Sequence, residues 1–244
     1  MNEIKIEVST PHGFFVTGTD TGVGKTLVAC ALLHAFAALG KSTIGMKPVA
    51  AGGEETAQGL RNDDVEALLA ASSIKAPRNL INPYALKPAI APHIAARRAG
   101  IEIDLPVIKN AFSQLIGMAD LVIVEGVGGF KVPLNSRADS ADLATLLDLP
   151  VILVVGMRLG CLNHALLTAE AVESRGLQLA AWVANCLDPQ MQALEENIAA
   201  LKARLKQAPL SVLEFAASPQ PVEVAAGLAV SSLDLIDKAE QKKA

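Results

Sequence analysis

The chain has 244 residues, 51% of them hydrophobic but only 3% aromatic, with a formal net charge of −4. That balance supplies a large Ala, Val, Ile and Leu core and argues against non-specific nucleic-acid binding, which needs a basic face. No apolar run approaches the length of about 18 residues that a membrane-spanning helix needs, and residues 1–11 lack the apolar centre of a signal peptide, so neither a nucleic-acid nor a membrane partner is expected.

The three cysteines, Cys30, Cys161 and Cys186, are far apart and in apolar or glycine-rich surroundings. Odd in number and without CxxC or Cys/His spacing, they fit reduced thiols in a cytoplasmic protein. Residues 1–12 read as a short N-terminal extension and 13–244 as one domain.

The apolar run 14–16 is followed at 18–26 by G-T-D-T-G-V-G-K-T and then by a helical Ala/Leu pattern over 27–39 that Gly40 ends. Strand, glycine-rich turn and helix in that order form a phosphate-binding loop. Gly22 and Gly24, flanking Val23, allow successive N–H groups to turn inward, and the helix adds its positive N-terminal end. Lys25 supplies a charge for the outer phosphates, and the Thr26 hydroxyl is placed to ligate a Mg²⁺ that bridges them. Relative to the common P-loop spacing the loop is one residue longer, with Thr19 where the first glycine usually stands and Gly18 before it.

A strand over 42–46 leads into K-P-V-A-A-G-G at 47–53, which sets Lys47 at a carboxyl strand end, the edge where α/β proteins build their sites. Residues 54–62 are polar and read as flexible. Asn62, Asp63 and Asp64 then cap a helix that runs to about Ala71. The proline-punctuated stretch 82–92 reads as a loop, followed by a short helix at 93–98 and a helix over 105–117 capped by Asp104.

The all-apolar run 121–124 is a buried strand, and it delivers Glu125 to its tip. In a chain with a P-loop, this is where a second acidic group for Mg²⁺ belongs. Gly126, Val127, Gly128 and Gly129 after it let backbone approach a ligand. Further strands are predicted at 151–155, 179–184 and 210–213, with helices over 161–174 and 190–204 and one more near the end, over the weakly amphipathic segment 228–243. The helix start at Gly160, Cys161, Leu162 and Asn163 can hold an anion. Strands of continuous apolar character alternating with helices indicate an α/β fold, an open parallel sheet of the P-loop NTPase type with helices on both faces.

Six motifs in one order, G-T-D-T-G-V-G-K-T, K-P-V-A, R-N-D-D, V-E-G-V-G-G, G-C-L-N-H-A and W-V-A-N, make the chain resemble the dethiobiotin synthetases of biotin biosynthesis from about Phe15 to Asn185. The resemblance implies an ATP-dependent ligase that takes 7,8-diaminononanoate and CO₂ through a carbamate and its phosphate anhydride to a cyclic urea. It implies that Lys25 and Lys47 are catalytic, and that Thr26, Asp64 and Glu125 hold Mg²⁺. ATP would meet residues 22–26, Asp64, residues 125–128, Asn185, Glu214, Phe215 and Ala216. The substrate would meet Thr21, Lys47, Ala51, Gly128 and, across a homodimer interface, Gly160, Cys161, Leu162 and Asn163.

The sequence departs from that pattern in three places. Ala51 replaces a serine, Asn197 a tyrosine, and 213–216 lacks the proline of the adenine-side segment. Two other readings stay open: another amide-forming P-loop synthetase, and a Min/Par-type ATPase switch, for which the segment 228–243 would be the membrane element.

Overall fold

The computed structural model describes residues 12–57 and 59–233. The N-terminal extension, apart from His12, and most of the predicted terminal helix lie outside the described residues. In chain order come β1 (Gly13–Gly18), α1 (Lys25–Ala38), β2 (Thr43–Met46), β3 (Val49–Ala51), β4 (Glu54–Thr56), β5 (Gly59–Arg61), α2 (Asp63–Ala71), α3 (Arg78–Ile81), β6 (Tyr84–Leu86), α4 (Pro92–Arg98) and α5 (Leu105–Leu115). These are followed by β7 (Leu121–Glu125), α6 (Ser140–Leu147), β8 (Val151–Met157), α7 (Cys161–Ser174), β9 (Leu179–Cys186), α8 (Leu194–Leu205), β10 (Ser211–Leu213) and α9 (Pro221–Ala226), and then by a 3₁₀ turn at Val230–Ser232.

Six strands form one parallel sheet in the order β10-β9-β8-β1-β7-β2, with β1 inside it. Alternation of side chains along each strand explains why both faces are covered. On β1, Phe14 and Val16 pack with α1 residues such as Leu32 and Phe36, while Phe15 packs on the opposite side with Phe112, Leu115 and Leu147. On β7, Leu121 and Ile123 go to the first face, Val122 and Val124 to the second. A third cluster, around Leu153, Trp182 and Leu201, covers the α7 and α8 side. Strands buried on both faces need no polar alternation, which is why they read as continuous apolar runs.

The parallel register fixes the site. Val16 lies opposite Glu125 and Met46 opposite Val124, so Lys47, one residue beyond Met46, comes level with Glu125. Loop, lysine and carboxylate thus meet at one carboxyl edge.

Several local expectations are corrected. The polar stretch 54–62 is not irregular: β4 and β5 pair as an antiparallel hairpin, with Glu54 opposite Arg61. Segment 84–86, expected as part of a loop, pairs in parallel with 49–51, as β6 with β3. Each of these strands is only three residues long, too short for a period-two pattern to show. The helix expected from 190 begins at Leu194, because Ala193 is left-handed at φ 55°. Asp104 occupies the N-cap position of α5 without a side-chain cap; its N–H instead donates to the Tyr84 hydroxyl at 3.0 Å. Helix α6, unanticipated in the sequence, is held by a reciprocal capping box between Asp139 and Asp142.

Candidate active site

The P-loop follows β1, and its glycines do what the sequence implies: Gly22 and Gly24 adopt φ +73° and +91°, open only at strain to other residues. The extra residue, Thr19, continues the pairing of β1 with β8, since its N–H donates to the Val154 carbonyl at 3.0 Å. Asn185, at the end of β9, ties the loop down by donating its amide to the Val23 carbonyl at 2.9 Å, and a Cβ on Gly24 would stand 2.3 Å from that amide nitrogen. Val23 itself is a core residue, fully buried, so its side chain is packed in the interior.

Four of the predicted residues converge. Lys47 Nζ lies 2.5 Å from Glu125 Oε1 and 2.8 Å from Asp64 Oδ2, and it donates to the Gly126 carbonyl at 3.3 Å. Thr26 Oγ1 reaches Asp64 Oδ1 at 2.8 Å and Glu125 Oε1 at 2.9 Å. Asp64 arrives there because Asn62 caps α2, accepting from the Asp64 N–H at 3.1 Å, which points the first turn of that helix at the P-loop. Lys25 Nζ folds back onto the Asp20 carbonyl at 2.9 Å.

Burial and charge set the protonation states. Burial by itself would strip Lys47, yet the Glu125 and Asp64 carboxylates outweigh it and hold its pKa above the ordinary lysine value. Full burial raises Glu125, with the Lys47 ammonium pulling against it. Burial also works to raise Asp64, but Lys47, then Thr26 and Lys25, leave it below the usual carboxylate range. Lys25 goes the other way: burial first, then the neighbouring Lys47 charge, lower it to about 8.

Thr26, Asp64 and Glu125 offer hard oxygen donors of the kind Mg²⁺ takes. Glu125 Oε2 is buried and has no hydrogen-bond partner among the described residues, an orphan that a cation would satisfy. Two carboxylates and a hydroxyl do not make an all-protein cage, and among the described residues no cluster of three His, Cys, Asp or Glu forms one. Such a partial set suits Mg²⁺ carried in on phosphates.

Around these groups lies a cavity of about 790 Å³ lined by Thr21, Gly22, Gly24, Lys25, Thr26, Lys47, Ala51, Asp64, Glu125, Val127 and Gly128. Its remaining wall comes from Ala89, Ile90, Ala91, Pro92 and Val132, apolar residues that the sequence reading did not single out. For residues 89–92 the proline-rich composition of 82–92 was the only signal, and for Val132 there was none. A second cleft, of about 480 Å³, gathers Asn185 with Glu214, Phe215 and Ala216 beside Leu27, the residue after Thr26.

Gly160, Cys161, Leu162 and Asn163 line neither space. Gly160 is the left-handed N-cap of α7; Cys161 is buried in the core, while Asn163 is exposed and Leu159 before them is fully exposed. An ion pair unforeseen in the sequence joins this loop to the P-loop, between Arg158 and Asp20.

The chain is similar to known proteins over most of its length. A family model described as an AAA domain matches residues 12–223. The ATP-dependent dethiobiotin synthetase BioD of Nitrosospira multiformis is 61% identical over 203 residues, covering 83% of this chain and 88% of its own. BioD of Aromatoleum aromaticum is 54% identical over 221 residues, covering 91% and 98%. Among solved structures, the septum site-determining protein MinD of Pyrococcus horikoshii, complexed with Mg-ADP, aligns over 95% of this chain and 99% of its own with a TM-score of 0.56 at 15% identity, a likeness of fold alone. Identity above one half along nearly whole relatives, on that P-loop fold, means that the chain belongs to the dethiobiotin synthetase family.

Proposed function

We propose that the chain is an ATP-dependent dethiobiotin synthetase, a ligase of biotin biosynthesis that joins 7,8-diaminononanoate and CO₂ into a cyclic urea at the expense of ATP. The observation that carries this reading is the meeting of Lys47, Thr26, Asp64 and Glu125 beside the P-loop in one cavity. The transferring phosphoryl group needs positioning and charge neutralisation rather than a protein nucleophile, and the lining provides both.

The P-loop N–H groups and Lys25 would hold the outer phosphates. Lys47 would hold the carbamate anion and its mixed anhydride near the γ-phosphate until the second amine closes the ring and phosphate leaves. Thr26, Asp64 and Glu125 would hold Mg²⁺, which when bound neutralises charge on the phosphates. Thr21, Ala51 and Gly128 would border the diamine, and the apolar wall of Ile90, Pro92 and Val132 suits its alkyl chain. Asn185, Glu214, Phe215 and Ala216 would take the adenine, since they line the second cleft.

The substrate carboxylate would be received by residues 160–163 of a second copy in a homodimer. This is supported by the exposure of Asn163 and Leu159 and by the absence of that helix start from the cavity of its own chain. The enzyme would work as one domain over 13–244 in the cytoplasm, where its three free, buried cysteines stay reduced.

Phosphate release from Mg·ATP, measured with and without 7,8-diaminononanoate and bicarbonate and coupled to mass detection of product, tests the reading. Diamine-dependent release with a cyclic urea product is expected, and Lys47→Gln should lower turnover about a hundredfold or more while nucleotide binding stays nearly intact. Hydrolysis indifferent to the diamine would overturn it.

A further inference from the structure

The position of Lys47 carries a consequence for how the site is loaded. Its ammonium does not point free into the cavity: it bridges the same two carboxylates that would hold the metal, 2.5 Å from Glu125 Oε1 and 2.8 Å from Asp64 Oδ2. The Thr26 hydroxyl also sits on Glu125 Oε1, at 2.9 Å. A cation that reaches Thr26 therefore meets Glu125 Oε1 already engaged by Lys47, and one that takes the unpartnered Glu125 Oε2 instead still shares its carboxylate with the same ammonium. Mg²⁺ binds oxygen at about 2.0–2.1 Å in a strict octahedron, and a divalent ion cannot share a carboxylate with a buried ammonium without strong repulsion.

We infer that Lys47 and the divalent metal compete for the Asp64–Glu125 pair, so that metal loading expels the Lys47 amine from the carboxylates and frees it for the anionic substrate. The inference rests on the reading of Thr26, Asp64 and Glu125 as the metal ligands. Before loading, the internal cation compensates the buried Glu125 charge, which would be costly unpaired. After loading, the metal compensates it and Lys47 is left without an acidic partner in a cavity that already holds Lys25. Only an incoming anion can then pair with it. Metal first, carbamate second becomes the favoured order, and by linkage a carbamate on Lys47 strengthens metal binding.

The test uses Mn²⁺ as the probe, with a non-hydrolysable ATP analogue present so that turnover plays no part. Free Mn²⁺ is followed by electron paramagnetic resonance. Lys47→Met, which removes the competitor, is expected to bind Mn²⁺ at least tenfold more tightly than wild type, whereas Lys47→Arg, which keeps a cation, is expected to bind no more tightly than wild type. Equal or weaker binding by a folded Lys47→Met protein overturns the competition.

A measurement on the wild-type protein covers the case in which that variant does not fold. Pulse acylation by acetic anhydride, read at Lys47 by peptide mass spectrometry at fixed pH, should run several-fold faster with Mg²⁺ and the analogue than with the analogue alone. An equal or slower rate overturns the inference. Failure of the metal reading itself is distinguishable: wild type and both variants would then bind no Mn²⁺ beyond what the analogue binds in solution, and the inference falls with it.

Discussion

Lys25 shows how one residue's environment can differ from what its motif implies. As the P-loop lysine it is expected to be a fixed positive charge, yet burial and the Lys47 ammonium bring its pKa down from 10.5 to about 8. A lowered lysine is charged below that value and neutral above it, and a bound polyphosphate drives the pKa back up. Nucleotide binding should therefore take up about half a proton at pH 8 and almost none at pH 6.5. Calorimetric titration with a non-hydrolysable ATP analogue, in two buffers of different ionisation enthalpy, would show a buffer-dependent heat at pH 8 only. A buffer-independent heat at pH 8 would mean that the amine is fully charged in the free protein. At this scale the motif residues were legible because phosphate chemistry constrains them within nine consecutive positions. The Arg158–Asp20 ion pair was not, since the two residues are 138 apart in the chain.

Among the elements, helix α6 was hidden from the sequence, although its capping box is complete. The Asp139 carboxylate accepts from the N–H groups of Ala141 and Asp142 at 2.8 and 3.0 Å, and Asp142 returns a bond to the Asp139 N–H at 2.8 Å. Lys131, 2.5 Å from Asp139, and Arg175, 2.5 Å from Asp142, then tie this helix start to the turn after Gly128–Gly129 and to the end of α7. Loss of an N-cap acceptor costs about 1–2 kcal/mol, and for a chain of this size each kcal/mol is worth about 2–4 °C. Asp139→Ala should lower the thermal midpoint by several degrees, while Asp139→Asn, which keeps the acceptor, should lower it less. Equal melting of Asp139→Ala and wild type would remove the cap from the account of stability. Short elements such as β3 to β6 were missed for a related reason: three residues carry no measurable period, and their pairing is decided by partners elsewhere in the chain.

For the molecule as a whole, the proposed homodimer relates the cavity of one copy to the helix start at 160–163 of the other. If the helix start serves a partner's cavity, Lys47→Gln and Asn163→Asp, each inactive by itself, should complement on mixing. In a symmetric dimer the mixed species carries one site with both lesions and one with neither, so about a quarter of wild-type turnover should return. No recovery in exchanged dimers, with sedimentation showing the mixed species, would place 160–163 outside the site. The likeness to MinD, at 15% identity, bears on the fold and leaves the chemistry to the site residues. The linear order of apolar runs and glycines by itself determined the parallel α/β sheet and the phosphate loop, because burial periodicity and phosphate geometry act over short spans of chain. Only the tertiary structure decided that Lys47 lies between Asp64 and Glu125, that Ile90, Pro92 and Val132 close the cavity, and that Asn185 clamps the P-loop. These depend on strand register and on contacts between residues far apart in sequence, which no local pattern encodes.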